Sequence, residues 1–414
     1  GCFNAKPTPT AFLIRDLFYH AHFVHSHIAH FYALAAPDFV CGPAAPAAER
    51  NVLGVVGRVG LELGGAVLRA RSQAQRIQAI IGGKATHPVM GVPGGVTKGI
   101  NAAEQKEIVN YAEQLVKFAQ TSMQVLKDVV LSNEDYVNII KNPDLYYQES
   151  YYMGLVNKDD NLEFHDGPVK VVDQKGNEFA KYDPNDYLDN ISEAIEPWSY
   201  EKFPYLKKVG YKGLYAGPDS GIYRATPLSR LNVCKDISTP LAHDALMEYR
   251  GFFKDLGIEG PVHFTLATHW ARVIELLYAA EKTLEDAQHK DLLNGDIKQT
   301  DLVPGGRGVG CVEAPRGTLT HDYTCDENGI VTACNLVVGT TNNNGSMNID
   351  VRNAAKGLIH NFEVSPGLLN MVEMAFRAYD PCNSCATHSL PGKMPLTAVI
   401  KNRDGEIIDT ISRN

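Results

Sequence analysis

Between Asn101 and Val130 the apolar residues Ile108, Ala112, Leu115, Ala119, Met123, Leu126 and Val130 return every three or four positions. That spacing predicts one long helix with a single buried face, capped by Asn101. A helix of this length needs other helices to cover it, and the chain supplies them. Residues 11 to 36 read as a helix rich in aromatics and histidine, ended by Pro37 and Asp38. Residues 50 to 82 read as another, stopping at Gly82-Gly83, and the glycines and prolines of residues 83 to 95 make a loop. Helices resume at Pro240, with Ser238 or Thr239 as cap and proline at the first helical position. Further helices are predicted over 266 to 289 and 368 to 379.

The β pieces are small. Val169 to Val172 and Glu178 to Lys181 flank Gln174-Lys-Gly-Asn177 as a hairpin. This hairpin opens a tyrosine- and proline-rich stretch, residues 150 to 218, read as a mixed β and loop insertion. Residues 303 to 341 begin as a glycine-rich loop. They continue as a hairpin of Thr318 to Tyr323 and Ile330 to Val338, turning at Asp326-Glu-Asn-Gly329. No repeat or low-complexity segment interrupts the pattern. The expected class is α+β and helix-dominated, a helical bundle with small β hairpins.

Composition narrows the function. Of 414 residues, 44% are hydrophobic, enough for a substantial core, and the net charge of −9 leaves no basic stripe for nucleic acid. The eight cysteines, Cys2, Cys41, Cys234, Cys311, Cys325, Cys334, Cys382 and Cys385, are too sparse for a disulfide scaffold and point to a reducing, cytoplasmic setting. No apolar run is long enough for a membrane span; the stretch from Leu34 to Ala48 is broken by Pro37, Asp38, Pro43 and Pro46. The chain opens on Gly1 rather than methionine, so an upstream segment is expected to be missing.

The most informative motif is Asp380-Pro-Cys382-Asn-Ser-Cys385-Ala-Thr-His388. Two thiolates three residues apart after a helix can grip one metal, with His388 as a further ligand. On spacing alone a redox metal and half of a structural zinc site stand level, although no second C-x-x-C exists to complete the zinc site. In Glu313-Ala-Pro-Arg316-Gly the arginine sits on a stiff turn, which suits contact with an anion, a carboxylate or a metal-bound ligand. Its commonest bland counterpart is a structural ion pair. His20, His22, His25, His27 and His30 crowd one helix, where packed or hydrogen-bonded histidines are commoner than ligands. Asp38 is either a buried carboxylate or a helix stop. Gly305-Gly-Arg-Gly-Val-Gly310 neither follows a clear strand nor opens a helix, so a dinucleotide cradle fails there.

Taken together these motifs resemble the large subunit of nickel–iron hydrogenases over residues 11 to 388. The segments His27-Ile-Ala-His-Phe-Tyr32 with Asp38, and Gly82-Gly-Lys-x-x-His-Pro88, agree with the two motifs above. Val338-Gly-Thr-Thr-Asn342 and Glu196-Pro-Trp-Ser-Tyr200 look most like the archaeal methyl-viologen-reducing type, which does not reduce the deazaflavin coenzyme. The resemblance implies a nickel held by four thiolates, two of them shared with an iron that carries carbon monoxide and cyanide. Cys382 and Cys385 would be two of those ligands, and His388 would bind a magnesium-type ion. Arg316 would hang over the metals, oriented by Asp38 and Asp380.

The implied activity is reversible oxidation of dihydrogen to protons and electrons, with a nearby base taking the proton. Electrons would pass to the clusters of an iron–sulfur small subunit, this chain having no iron–sulfur cluster of its own. From there heterodisulfide reductase, reached through an electron-transfer subunit, would receive them in methanogenesis. The family's first cysteine pair and its upstream glutamate would precede Gly1. Residues 389 to 414 would be a propeptide-like tail following a catalytic domain of residues 1 to 388, handled by a maturation protease and nickel-insertion proteins. Two alternatives remain: an NAD- or deazaflavin-coupled hydrogenase, and a metal-free structural or quinone-binding relative. Cys382, Cys385 and His388 argue against the second.

Overall fold

The computed structural model describes residues 6–199, 201–361, 363–382 and 396–413. Cys385 and His388 lie outside the described residues. Helix α1 (Pro9–His30) starts on a Thr8 cap and widens into a π turn at Phe31–Ala35 before α2 (Ala36–Val40). Pro37 therefore does not end the helical path. It has no N–H to give the carbonyl one turn back, and the π turn just before it absorbs that loss. Asp38 is carried onward on the short second helix. The helix predicted over 50 to 82 is two helices, α3 (Val52–Val59) and α4 (Leu61–Gly82), split at Gly60, whose φ of 93° belongs to glycine.

After the small hairpin β1 (Gly91–Val92) and β2 (Gly95–Val96) comes α5 (Ala102–Leu126). A full capping box, Asn101 with Glu104, starts it. A second π turn at Lys127–Leu131 and α6 (Glu134–Ile140) follow. Two sheets follow, running past the expected boundary at residue 218 to Arg224. Strands β3 (Tyr151–Leu155), β4 (Val169–Val172), β5 (Glu178–Tyr182) and, beyond the hairpin β6 (Ile191–Ile195) and β7 (Lys202–Leu206), β8 (Tyr223–Arg224) form a sheet of order β5-β4-β3-β8. The short helix α7 (Tyr187–Asn190) leads into β6.

Three helices follow: α8 (Pro227–Val233), α9 (Pro240–Asp255) and α10 (Ala267–Gln288). Beyond the half-buried His263, residues 264–280 are buried without a break, so α10 is enclosed all round as far as Ala280 rather than on one face. It packs against α1, α5, α8 and α9 and forms the axis of the core.

The glycine-rich segment predicted as a loop is instead strand β9 (Gly306–Ala314). It pairs with β10 (Gly317–Cys325), which pairs in turn with β11 (Val331–Val337). Gly310 stands opposite His321, Gly308 opposite Tyr323 and Gly306 opposite Cys325. The glycines hold an edge strand in which bulky neighbours occupy the facing positions, so composition alone disguised the strand. Helix α11 (Asn344–Leu358), missed behind a run of asparagines, packs on α12 (Pro366–Arg377). The chain ends in the hairpin of β12 (Leu396–Lys401) and β13 (Ile407–Arg413). Among the described residues no helix is long and apolar enough to cross a membrane.

Candidate metal centre

Arg316 owes its position to a two-residue turn. Ala314 and Gly317 are paired across β9 and β10, leaving only Pro315 and Arg316 between them. Proline at the first turn position fixes φ there. Gly317 has a φ of +159°, and a methyl added to it would stand 2.4 Å from the Gly339 carbonyl and 2.6 Å from that of Ala225. Both obstacles are backbone. Gly317→Ala is therefore expected to cost about 2 kcal/mol of stability through overpacking and strain. A lower thermal midpoint in a melting experiment is the expected measurement. Asn343 completes the turn, donating its amide to the carbonyl of Arg316 at 2.9 Å and accepting from the Ala225 N–H at 2.8 Å.

The Arg316 side chain faces the segment that leaves α12. Its Nε lies 3.5 Å from Asp380 Oδ2, one third of the arginine side chain remaining exposed and only 4% of the aspartate's. Asp380 has a φ of +55°, an uncommon conformation for a residue that is not glycine. Burial raises its carboxyl pKa, while the Arg316 and Arg272 guanidiniums pull the other way. The next residues are anchored too. Tyr379 donates its hydroxyl to Asp350, and the Cys382 N–H donates to Thr340 Oγ1 at 3.3 Å.

Arg272, on α10, is a third member that the sequence reading did not single out. Its guanidinium is buried and gives Nη2 to the Ala378 carbonyl at 3.0 Å. Its Nε and Nη1 have no hydrogen-bond partner among the described residues, and neither do Arg316 Nε and Asp380 Oδ2. Burial depresses the Arg272 pKa to about 10, with Asp380 opposing. His22 and His25 are held near 4, first by burial and then by positive neighbours that include Arg316. His30 and His269 stack at 5.4 Å, each with Nδ1 lacking a partner among the described residues. Burial depresses both of their pKa values as well. Burial thus favours the neutral form of all four histidines.

Asp38 goes elsewhere. Arg377 grips it twice, Nε to Oδ2 and Nη2 to Oδ1, both at 3.1 Å, and Asn370 donates to Oδ1 at 3.0 Å. Arg50 Nε lies 3.7 Å away. No hydrogen bond or ion pair joins Asp38 to Arg316 among the described residues, contrary to the orienting contact expected from the sequence. The bidentate fork of Arg377, at the end of α12, takes both carboxylate oxygens. Asp38 therefore holds the helix that delivers Asp380 and Cys382 rather than the arginine that faces them.

This donor set suits a thiolate-bound metal centre. Two guanidiniums with unsatisfied N–H groups, beside one carboxylate, leave room for further negative charge near Cys382. A soft thiolate is the right ligand for nickel or iron. A second cluster, Asp16, His20 and Asp286, also has metal-ligating side chains within 4.8 Å of one another. Lys282 Nζ stands 3.9 Å from Asp286, so the cluster already holds its own cation. Asp286 also lies about 21 Å along α10 from Arg272, at the rise of a helix.

A family model described as nickel-dependent hydrogenase matches residues 224–388. The iron-sulfur subunit of an F420-non-reducing hydrogenase from Archaeoglobus profundus is 42% identical over 99% of this chain and 84% of its own length. The NAD-reducing hydrogenase HoxS subunit beta of Cupriavidus necator is 37% identical over 98% of this chain and 81% of its own length. Among solved structures, an NAD+-reducing [NiFe]-hydrogenase in the H2-reduced state superposes with a TM-score of 0.84 at 34% identity, covering 92% of this chain and 81% of that one. The chain belongs to the nickel-dependent hydrogenases, as the large subunit of a nickel–iron hydrogenase.

Proposed function

We propose that this hydrogenase splits dihydrogen heterolytically beneath Arg316 and passes the electrons to a partner small subunit. The observation that carries this reading is the meeting of Arg316, Asp380 and Arg272 at the segment leading to Cys382. Cys382 and Cys385 would hold the nickel–iron centre, and His388 a magnesium-type ion near it. The centre, with carbon monoxide and cyanide on iron, supplies the Lewis-acid and redox chemistry when bound. Arg316 presents a fixed fork of N–H donors toward that position, which orients a small reactant and favours developing negative charge. Asp380 balances the arginine. Asp38 acts at one remove, through Arg377 and the end of α12.

Electrons would leave through iron–sulfur clusters of the small subunit, since the eight cysteines of this chain include only one close pair. Heterodisulfide reductase is the proposed acceptor, reached through an electron-transfer subunit, placing the enzyme in the methanogenic cytoplasm. The name of the A. profundus relative, an F420-non-reducing hydrogenase subunit, supports an acceptor other than the deazaflavin. The 37% match to a subunit of an NAD-reducing enzyme favours a second reading, in which NAD+ is the acceptor. The purified complex, with nickel quantified, decides between them. The expected result is dihydrogen-dependent reduction of methyl viologen, with NAD+ and the deazaflavin reduced at background rates. Efficient NAD+ reduction would replace the first reading by the second, and a fully assembled complex without nickel would overturn both.

A further inference from the structure

At the centre of the fold lies a charged network sealed from water. Arg230 on α8, Glu275 on α10, Glu313 on β9 and His27 on α1 are each 0% exposed. Arg230 donates Nε and Nη2 to the two oxygens of Glu275 at 2.6 and 2.7 Å, and Nη1 to Glu313 at 2.8 Å. His27 Nε2 lies 2.9 Å from Glu275. The other oxygen of Glu313 accepts from the Leu155 N–H at 2.8 Å and from the Thr318 hydroxyl at 3.0 Å.

Two ionised carboxylates and a guanidinium in a dry core are costly. A well-packed apolar group of the same volume often stabilises a core as well. The arrangement has a use that apolar packing could not provide. Arg230 also grips the backbone, donating Nη1 to the Ala314 carbonyl at 3.0 Å and Nη2 to that of Pro315 at 3.4 Å. Those are the two residues before Arg316. Asn343 holds the carbonyl of Arg316 itself. Three consecutive peptide carbonyls of the turn are thereby fixed, two of them by one arginine whose own orientation is locked by Glu275 and Glu313.

We propose that Arg230 is the positioning residue of the metal centre: clamped by Glu275 and Glu313, it fixes the Ala314–Pro315 backbone so that the Arg316 guanidinium stands at one place opposite Asp380. This rests on the reading of Arg316 given above. A lysine at 230 keeps the charge but loses the planar fork, so it cannot serve both carboxylates and both carbonyls.

A double-mutant cycle in the assembled, nickel-loaded enzyme tests it. Arg230→Lys, Arg316→Lys and the double variant are compared by nickel content and by the pH profile of dihydrogen–D2O exchange. A displacement of the order of 1 Å slows a positioned reaction about 100-fold. Arg230→Lys should therefore slow exchange by roughly 10- to 100-fold with nickel fully bound, and by less than about 3-fold once Arg316 is already lysine. Glu313→Gln, which keeps shape and removes one charge, should show the same non-additivity and serves if Arg230→Lys fails to accumulate. Equal slowing in both backgrounds would make Arg230 merely structural and sink the proposal. Exchange at the wild-type rate in Arg316→Lys alone is a different outcome: it removes the role of Arg316 itself, and the proposal with it.

Discussion

With lysine at position 316, the assembled enzyme should turn over dihydrogen some hundred- to thousandfold more slowly while still binding nickel. That is the scale on which removing one well-placed donor from a developing charge acts. Lysine keeps the positive charge, so a role resting on charge alone would survive. What it loses is planarity and reach. The Arg316 guanidinium stands beside Asp380 while remaining one-third exposed on its other side, and a single ammonium cannot take both directions at once. Nickel binding should persist, because in the proposed site the thiolates and not the guanidinium would hold the metal. Elemental analysis and viologen reduction on the same preparation separate the two effects. Turnover per nickel close to that of the unmodified enzyme would reduce Arg316 to a structural ion pair.

Much of the architecture could be read from periodicity, and the exceptions have physical causes. The helix capped by Asn101 was legible because an amphipathic face with a capping box is a local signal. The π turn before Pro37 was not, because nothing local says whether a proline ends a helix or shifts it. Strand β9 was hidden because glycines facing His321 and Tyr323 remove the side-chain alternation that marks a strand.

At the site, the motifs containing Arg316 and Asp380 pointed to residues that the fold brings within 3.5 Å of each other. Asp38 was singled out with them, but its partner Arg377 lies more than three hundred residues away and has no local signal. Arg272 and Glu275 carried a signal that went unread. They are charges three residues apart inside Ala271-Arg-Val-Ile-Glu-Leu-Leu-Tyr-Ala-Ala280, a run whose apolarity forecasts burial all round. A buried charge needs a partner: Arg272 takes the Ala378 carbonyl, and Glu275 takes Arg230 and His27. The network around Arg230 joins four distant elements and exists only in three dimensions.

An all-or-none effect is expected at the other end of the chain. We propose that the active subunit ends at His388 and that a precursor keeping residues 389 to 414 is inactive even with iron inserted. Leu396 to Arg413 form a hairpin whose strands pair from Leu396↔Arg413 to Ile400↔Asp409. Its turn is built by Asn402, whose side chain accepts from the N–H groups of Asp404 and Glu406 at 3.0 and 2.9 Å. The two strands thus pair with each other and with no further strand among the described residues.

Three of its apolar side chains stand largely in water, however. Val399 is 46% exposed, Ile407 64% and Ile408 51%. Leaving three such side chains in water forgoes several kcal/mol of burial, since each contributes about 1.5–3 kcal/mol when fully enclosed. Such a segment suits a temporary element better than a permanent part of the core. While attached, it would hold the cysteine pair away from its buried position, although Arg316, Asp380 and Thr340 hold the start of the segment that carries the pair. Cutting after His388 would then let the new terminus settle against the metals. Mass spectrometry of the purified active subunit should find His388 at the C-terminus. Full activity in a subunit that still carries residues 389 to 414 would show that the tail is no barrier to the finished site.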